Sequence, residues 1–271
     1  MYRVVAFDLD GTLLRNDKSI SAETIAELQR ISKQGVILLP STGRTHLELP
    51  EALKDLPFLR YALCCNGGAV YDYKENRYVY EEVIPHELAL ELLEYAKTLP
   101  VYESVVINGK RIAEGYENGE VCDYIRKHAV KGISSNITGT ENIIETFSFM
   151  HADAQKFLLY LDEGKDREAV IGQIRDQFPA LCVSSSGAVL IEVNIQGVDK
   201  GKALKRFCSM MDVPIEESLA FGDAENDISM LEASGMAIVM ENGSDETKKH
   251  ADMICPSNEE DGVRKALEQL I

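Results

Sequence analysis

The chain has 271 residues, 45% of them apolar, which is enough for a packed core and more than one simple domain needs. Its 45 acidic residues against 28 basic ones give a formal charge of -17. That balance repels nucleic-acid backbones and anionic lipid surfaces, so neither nucleic acid nor membrane is expected as a partner, and an anionic ligand needs a local positive site.

Six cysteines are present, but Cys64 and Cys65 are adjacent and no C-x-x-C pair occurs. Cys182, Cys208 and Cys255 lie in apolar stretches, where a thiol behaves as a small core residue. A reduced, cytoplasmic protein is the expectation. The apolar run Val4-Val5-Ala6-Phe7 begins directly after Met1-Tyr2-Arg3, so no leader is expected. Runs such as Val36 to Leu39 fall far short of the roughly 18 apolar residues of a membrane span.

In chain order, Arg3 to Phe7 reads as a buried strand that breaks into Asp8-Leu9-Asp10-Gly11-Thr12. A helix follows: Ser21 caps it, Ile25, Leu28 and Ile31 recur at helical spacing, and Gly35 ends it. The strand Val36 to Leu39 stops at Pro40 and the loop Ser41-Thr42-Gly43-Arg44. A third strand, Tyr61 to Cys65, ends at Asn66-Gly67-Gly68, and short strands follow at Ala69 to Tyr71 and Tyr78 to Val83. Continuous apolar strands alternating with helices predict a parallel sheet covered on both faces. From Ile84 the pattern changes to a helix (His86 to Leu99) and shorter strands. Val101 to Ile107 and Arg111 to Glu114 are separated by the turn Asn108-Gly109-Lys110. The strand Lys156 to Leu161, a helix near Arg167 to Phe178 and a pair of strands around Ser186-Gly187 complete this module. After Asn194 the first pattern returns: helix Lys200 to Met211, strand Ser218 to Phe221, helix Glu225 to Ala233, strand Met236 to Met240 and helix Glu259 to Leu270.

In an open parallel sheet, ligands bind beyond the carboxyl ends of the strands. Four polar clusters fall at strand or helix ends: Asp8 to Thr12, Ser41 to Arg44, Lys200, and Gly222-Asp223-Ala224-Glu225-Asn226-Asp227. Asp-x-Asp after a strand can be a solvated turn, and Lys200 can be an ordinary charged helix start. Taken together they suggest more. Neighbouring carboxylates repel unless a cation joins them, and oxygen-only ligands without His or Cys favour a hard ion such as magnesium over zinc. Thr42 and the flexible backbone at Gly43 suit phosphate oxygens.

These clusters closely resemble the haloacid-dehalogenase superfamily, in its Cof-type (subfamily IIB) branch of phosphatases with a large cap, over essentially the whole chain. The motifs that carry the resemblance are Asp8-Leu9-Asp10-Gly11-Thr12-Leu13-Leu14, Ser41-Thr42-Gly43-Arg44, Gly197-Val198-Asp199-Lys200-Gly201 and Gly222 to Asp227. Branch-level features agree: Asn66-Gly67-Gly68, Ala237 to Asn242, and Glu260-Asp261-Gly262-Val263. Ser41 and Gly243 stand where the family often has alanine.

The resemblance implies an α/β protein: a Rossmann-like doubly wound parallel-sheet core, 1–83 and 195–271, with an inserted α+β cap, 84–194. It implies Asp8 as nucleophile, forming an aspartyl phosphate, and Asp10 as general acid and base. Magnesium would be held by Asp8, the Asp10 carbonyl and Asp223, with Asp227 acting through metal-bound water or as a helix-start carboxylate. Thr42, the Leu9 and Gly43 amides, Lys200 and Asn226 would hold the phosphate. Arg44 would reach substrate or pair with a surface acid. Cap residues such as His151, Lys156 and Arg126 are candidates for touching the leaving group. The implied activity is Mg2+-dependent hydrolysis of a small phosphomonoester, a sugar phosphate or phosphorylated cofactor. The alternatives are a phosphomutase or phosphotransferase with the same chemistry, or a non-catalytic module that binds a phosphorylated metabolite.

Overall fold

The computed structural model describes residues 1–115, 136–186 and 189–271. They form two compact units: Met1–Tyr80 with Asp199–Ile271, and Glu81–Val198, which is inserted between the two halves of the first.

The larger unit is built on β1 (Val4–Phe7) and β2 (Ile37–Pro40). Next come β3 (Tyr61–Cys64), β4 (Ala69–Asp72) and β5 (Arg77–Glu81). In the smaller unit follow β6 (Val101–Ile107), β7 (Lys110–Glu114), β8 (Ile137–Thr140), β9 (Lys156–Leu161), β10 (Leu181–Ser186) and β11 (Leu190–Ile195). The chain returns to the larger unit with β12 (Ser218–Gly222), β13 (Met236–Met240) and β14 (Met253–Cys255).

Among the described residues, the larger unit holds a five-stranded parallel sheet in the order β14-β13-β12-β1-β2. Its inner strands are almost wholly apolar because both their faces are covered. Val5, Phe7, Leu219, Phe221, Ile238 and Met240 pack on one side with Leu28, Ile31, Val263 and Leu267. Val4, Ala6, Ala220, Ala237 and Val239 pack on the other with Leu204, Phe207, Met230 and Leu231. A two-residue period thus feeds two cores, as expected of a doubly wound sheet. Helix Ala22–Lys33 begins where expected, with the Ser21 hydroxyl accepting the Thr24 N–H at 3.0 Å.

Two readings of the sequence change. β2 runs through Pro40, which costs the β1 ladder nothing: that ladder uses the alternate amides, with Ile37 and Ser41 donating to the Arg3 and Phe7 carbonyls, each at 2.8 Å. The third strand is not a member of the parallel sheet: β3 pairs antiparallel with β4 in a separate sheet, β3-β4-β5. It lies alongside β2, with Leu39 and Leu63 in one core, and is joined to it by the parallel bridge Ser41–Leu63 and the Thr42 N–H donated to the Leu63 carbonyl at 2.9 Å.

In the smaller unit the described strands form one sheet, β10-β11-β9-β6-β7-β8. Asn108 and Gly109, at φ 50° and 77°, make the β6–β7 turn that their sequence predicts. The helices His86–Ala96, Ile143–Met150 and Arg167–Gln177 supply Leu92, Phe147 and Ile174 to a core shared with Val105, Phe157 and Val193. Each of the five cysteines among the described residues is free. No helix among them is long and apolar enough to cross a membrane.

Helices Lys200–Met210 and Ile228–Ala233 meet backbone to backbone at Gly201, where an added Cβ would stand 2.0 Å from the Ser229 carbonyl oxygen. A backbone oxygen cannot rotate away, so Gly201→Ala must push the two helices apart. Urea unfolding should show a loss of about 1–3 kcal/mol, the usual range for overpacking. An unchanged midpoint would mean that the contact is not tight.

Candidate active site

The carboxyl ends of β1, β2, β12 and β13 bring the sequence clusters to one edge of the parallel sheet. Asp8 follows β1, and its N–H continues the ladder by donating to the Phe221 carbonyl at 3.0 Å. Lys200 stands at the first position of its helix, behind the cap Asp199, and is fully buried. Its ammonium donates to Asp8 Oδ1 and to Asp227 Oδ1, both at 2.6 Å.

Asp227 is also fully buried, and its second oxygen accepts the Asp223 and Ala224 amides at 3.0 and 3.1 Å. It therefore fixes Lys200 with one oxygen and the Asp223 loop with the other. Asp223 Oδ1 accepts the Thr12 hydroxyl at 2.6 Å, which ties that loop to the first motif. Asp8, Asp223 and Asp227 each bring one carboxylate oxygen within 4.8 Å of the others, a grouping that could hold a metal ion.

Asp10 points into a different setting. Arg44 grips it from two sides, Nε on Oδ2 and Nη2 on Oδ1, both at 2.8 Å, and Lys18 adds a bond to Oδ1 at 2.7 Å. The remaining Arg44 nitrogen donates to the Glu48 carbonyl at 3.1 Å, and Glu48 in turn caps the Thr45 N–H at 3.0 Å. The Arg44 guanidinium is thus engaged by Asp10 and by its own loop.

Thr42 is buried, and its hydroxyl oxygen accepts the Arg44 N–H at 3.2 Å, which leaves its own proton for a further acceptor. The exposed Asn226 amide donates to Asn66 Oδ1 at 3.3 Å. Leu9 is wholly buried and holds the first loop through its carbonyl, which accepts the Leu14 N–H at 2.8 Å.

Of the further candidates, His151 ends helix Ile143–Met150 in a left-handed conformation, and Lys156 is buried in an ion pair with Glu192 at 3.0 Å. Arg126 lies outside the described residues.

Sequence reasoning missed Lys18, which no motif marks, and two asparagines that brace the first loop. Asn242 donates to the Gly11 carbonyl at 2.8 Å, and Asn258 donates to the Leu14 carbonyl at 2.8 Å. Asn242 lies in a stretch already singled out by resemblance; its neighbours gave no hint of its target.

Burial pushes the Asp8 carboxyl up to about 8: Lys200 pulls it back, while Asp227 and Asp223 add to the rise. Burial also raises Asp223 to about 6, against the pull of the Thr12 hydrogen bond. Burial works against the Lys200 ammonium, but Asp227 and Asp8 outweigh it and raise its pKa. For Asp10 the balance is reversed. Burial favours its neutral form, yet Arg44 and then Lys18 hold it below the usual carboxylate range. Two acids thus share Lys200 with a third beside them, and burial makes two of the three, Asp8 and Asp223, reluctant to ionise. The donor set is all oxygen, hard and over-charged, and it fits a divalent cation.

The molecule is thus an α/β protein with a cluster of carboxylates at the carboxyl ends of its parallel strands. The family model described as haloacid dehalogenase-like hydrolase matches residues 5–267, and the chain belongs to that family. A curated relative, the phosphatase YwpJ of Bacillus subtilis, is 27% identical over 286 residues, 99% of this chain and 100% of its own. The pyridoxal phosphate phosphatase YbhA of Escherichia coli is 28% identical, with 96% of each chain covered. Among solved structures, a haloacid dehalogenase-like hydrolase from Bacteroides thetaiotaomicron is 28% identical, with a TM-score of 0.88 and both chains covered completely.

The raised acids set a sign for stability. Between the ordinary value of 3.8 and the folded values of about 6 and 8, the folded chain binds more protons than the unfolded one. Their contribution is therefore complete below pH 4 and lost as pH rises through 6 to 8. Melting in chelator should show these groups lowering Tm from pH 5 to pH 8.5, and a divalent cation should raise Tm more at pH 8.5 than at pH 5. A cation effect independent of pH would remove the assignment.

Proposed function

We propose that the chain is a magnesium-dependent phosphatase that takes a phosphoryl group from a small phosphomonoester onto Asp8 and passes it to water. The observation that carries this reading is the Lys200 bridge. Asp8 Oδ1 is held by a buried ammonium just past the end of β1, and Asp8 and Asp223 each bring a carboxylate oxygen to the same acidic cluster.

Magnesium bound by Asp8, Asp223 and the Asp10 carbonyl would neutralise charge on the transferring phosphoryl group. The remaining chemistry belongs to the chain. Asp8 forms a bond to phosphorus as the bond to the leaving oxygen breaks, and the leaving oxygen takes a proton from Asp10. Water then attacks the phosphorus, gives its proton to Asp10 and releases Asp8. Lys200, Thr42 and Asn226, with the Leu9 and Gly43 amides, steady the phosphate oxygens.

Asp10 as found, gripped by Arg44 and Lys18, is ionised and suited to the second half, where it accepts a proton. To serve as the acid it must first release part of that grip. Arg44 accordingly acts on Asp10 in preference to substrate. Asp227 acts as the anchor of Lys200, since both its oxygens already have partners. The unit Glu81–Val198 is the family's cap in this reading and selects among leaving groups. Phosphorylated cofactors such as pyridoxal phosphate, the substrate named for the YbhA relative, and sugar phosphates form the substrate class to be tested.

A phosphomonoester panel, run with magnesium and with chelator, should give phosphate release only with the metal. Asp8→Asn should abolish turnover while melting as a folded protein. Lys200→Met should lower kcat by at least about 100-fold, the effect typical of losing a preorganised charge partner. Steady turnover by Asp8→Asn would remove the nucleophile assignment.

A further inference from the structure

Between β3 and β4 the chain makes a turn in which three consecutive residues, Cys65, Asn66 and Gly67, have φ of 54°, 57° and 103°. Only the last is glycine. Left-handed backbone is unfavourable for cysteine and tolerated by asparagine, so a run of this kind persists only where its surroundings impose it.

The surroundings are the loops of the site. The Cys65 and Asn66 amides donate to the Arg44 and Thr42 carbonyls, each at 3.0 Å, which docks the turn on the second motif. Gly67 lies against the Asp199 carbonyl, one residue before Lys200, and a Cβ there would overlap it. The side chain of Asn66 reaches two places. Its Oδ1 accepts the Asn226 amide at 3.3 Å, from the fourth motif, and an added Cβ on Gly43 would stand 3.0 Å from the same oxygen.

One strained turn therefore touches the loops that carry Thr42 and Gly43, Lys200, and Asn226. An exposed hydrogen bond between two short side chains, 160 residues apart in sequence, adds little to stability, so folding gives little reason for a carboxamide at this position.

We propose that Asn66 is a positioning residue for the phosphate side of the site: its carboxamide holds Asn226 beside the Gly43 backbone so that both meet one phosphate group. The inference rests on the phosphatase reading above and adds to it a residue outside the four motifs.

The test uses the full chain, inorganic phosphate and magnesium, with binding followed by calorimetry and stability by thermal melting. Asn66→Gly relieves the strained backbone and removes the side chain that carries the carboxamide. It should keep or raise Tm while weakening phosphate about tenfold, the scale of one lost hydrogen bond. Asn226→Ala should weaken phosphate by a similar factor. The double variant should be no weaker than either single one, because the two side chains act as one unit. Phosphate affinity unchanged in Asn66→Gly, or single losses that multiply in the double variant, would overturn the proposal. A fall in Tm that accompanies the loss would mark Asn66 as structural and overturn it as well. If the parent chain neither binds phosphate nor releases it from any monoester, the phosphatase reading falls together with this one. If the parent does bind, the variants judge Asn66 alone.

Discussion

A lysine ammonium with no exposure to solvent has to be matched by carboxylates, and Lys200 is matched twice, by Asp8 and by Asp227. Taking such charges out of water costs several kcal/mol each, so the cluster persists only because every member is held by others. Asp227 holds the amides of Asp223 and Ala224, Asp223 accepts from Thr12, and Asp8 continues the β1 ladder onto β12. Loops from both halves of the larger unit are joined through this one ammonium. A change at Asp227, which in this arrangement need not touch substrate, would disturb Asp8 through Lys200.

The same crowding separates the two acids of the first motif. Asp8 is pushed up by burial and by its acidic neighbours, whereas Asp10, two residues away, is held down by Arg44 and Lys18. Neighbouring carboxyl groups driven apart in this way can take different chemical parts. A divalent cation suits the first environment and would find the second already neutralised. The strand-end geometry is what allows this: successive residues leaving β1 meet β12 on one side and the β2 loop on the other.

Much of this was legible in the sequence where the determinants are local. The apolar runs at Val4 to Phe7 and Met236 to Met240 are buried strands because no amphipathic alternative exists for them, and the acids at their ends had to lie at a sheet edge. What escaped depends on partners distant in sequence. Asp227 reads as a holder of metal-bound water or a helix-start acid until Lys200 is seen beside it. Arg44 and Lys18 are two ordinary cations until they close on Asp10. The strand at Tyr61 is apolar enough for the parallel sheet, and only its pairing with Ala69–Asp72 shows otherwise. Ile137–Thr140, Ile143–Met150 and Met253–Cys255 are short elements without a period of their own, stabilised by the sheets and cores they join. The left-handed Cys65 is the extreme case, since nothing in a cysteine announces such a conformation.

At the centre of the proposed chemistry is Asp8, as the group that would receive phosphorus. Acid quenching during the first turnover, followed by mass spectrometry of the digested chain, tests this most directly. The arrangement around Lys200 predicts a transient phosphoryl adduct on the peptide that contains Asp8, present while substrate remains and gone once it is consumed. Phosphate release with no adduct at any time, or an adduct carried by a different side chain, would contradict it.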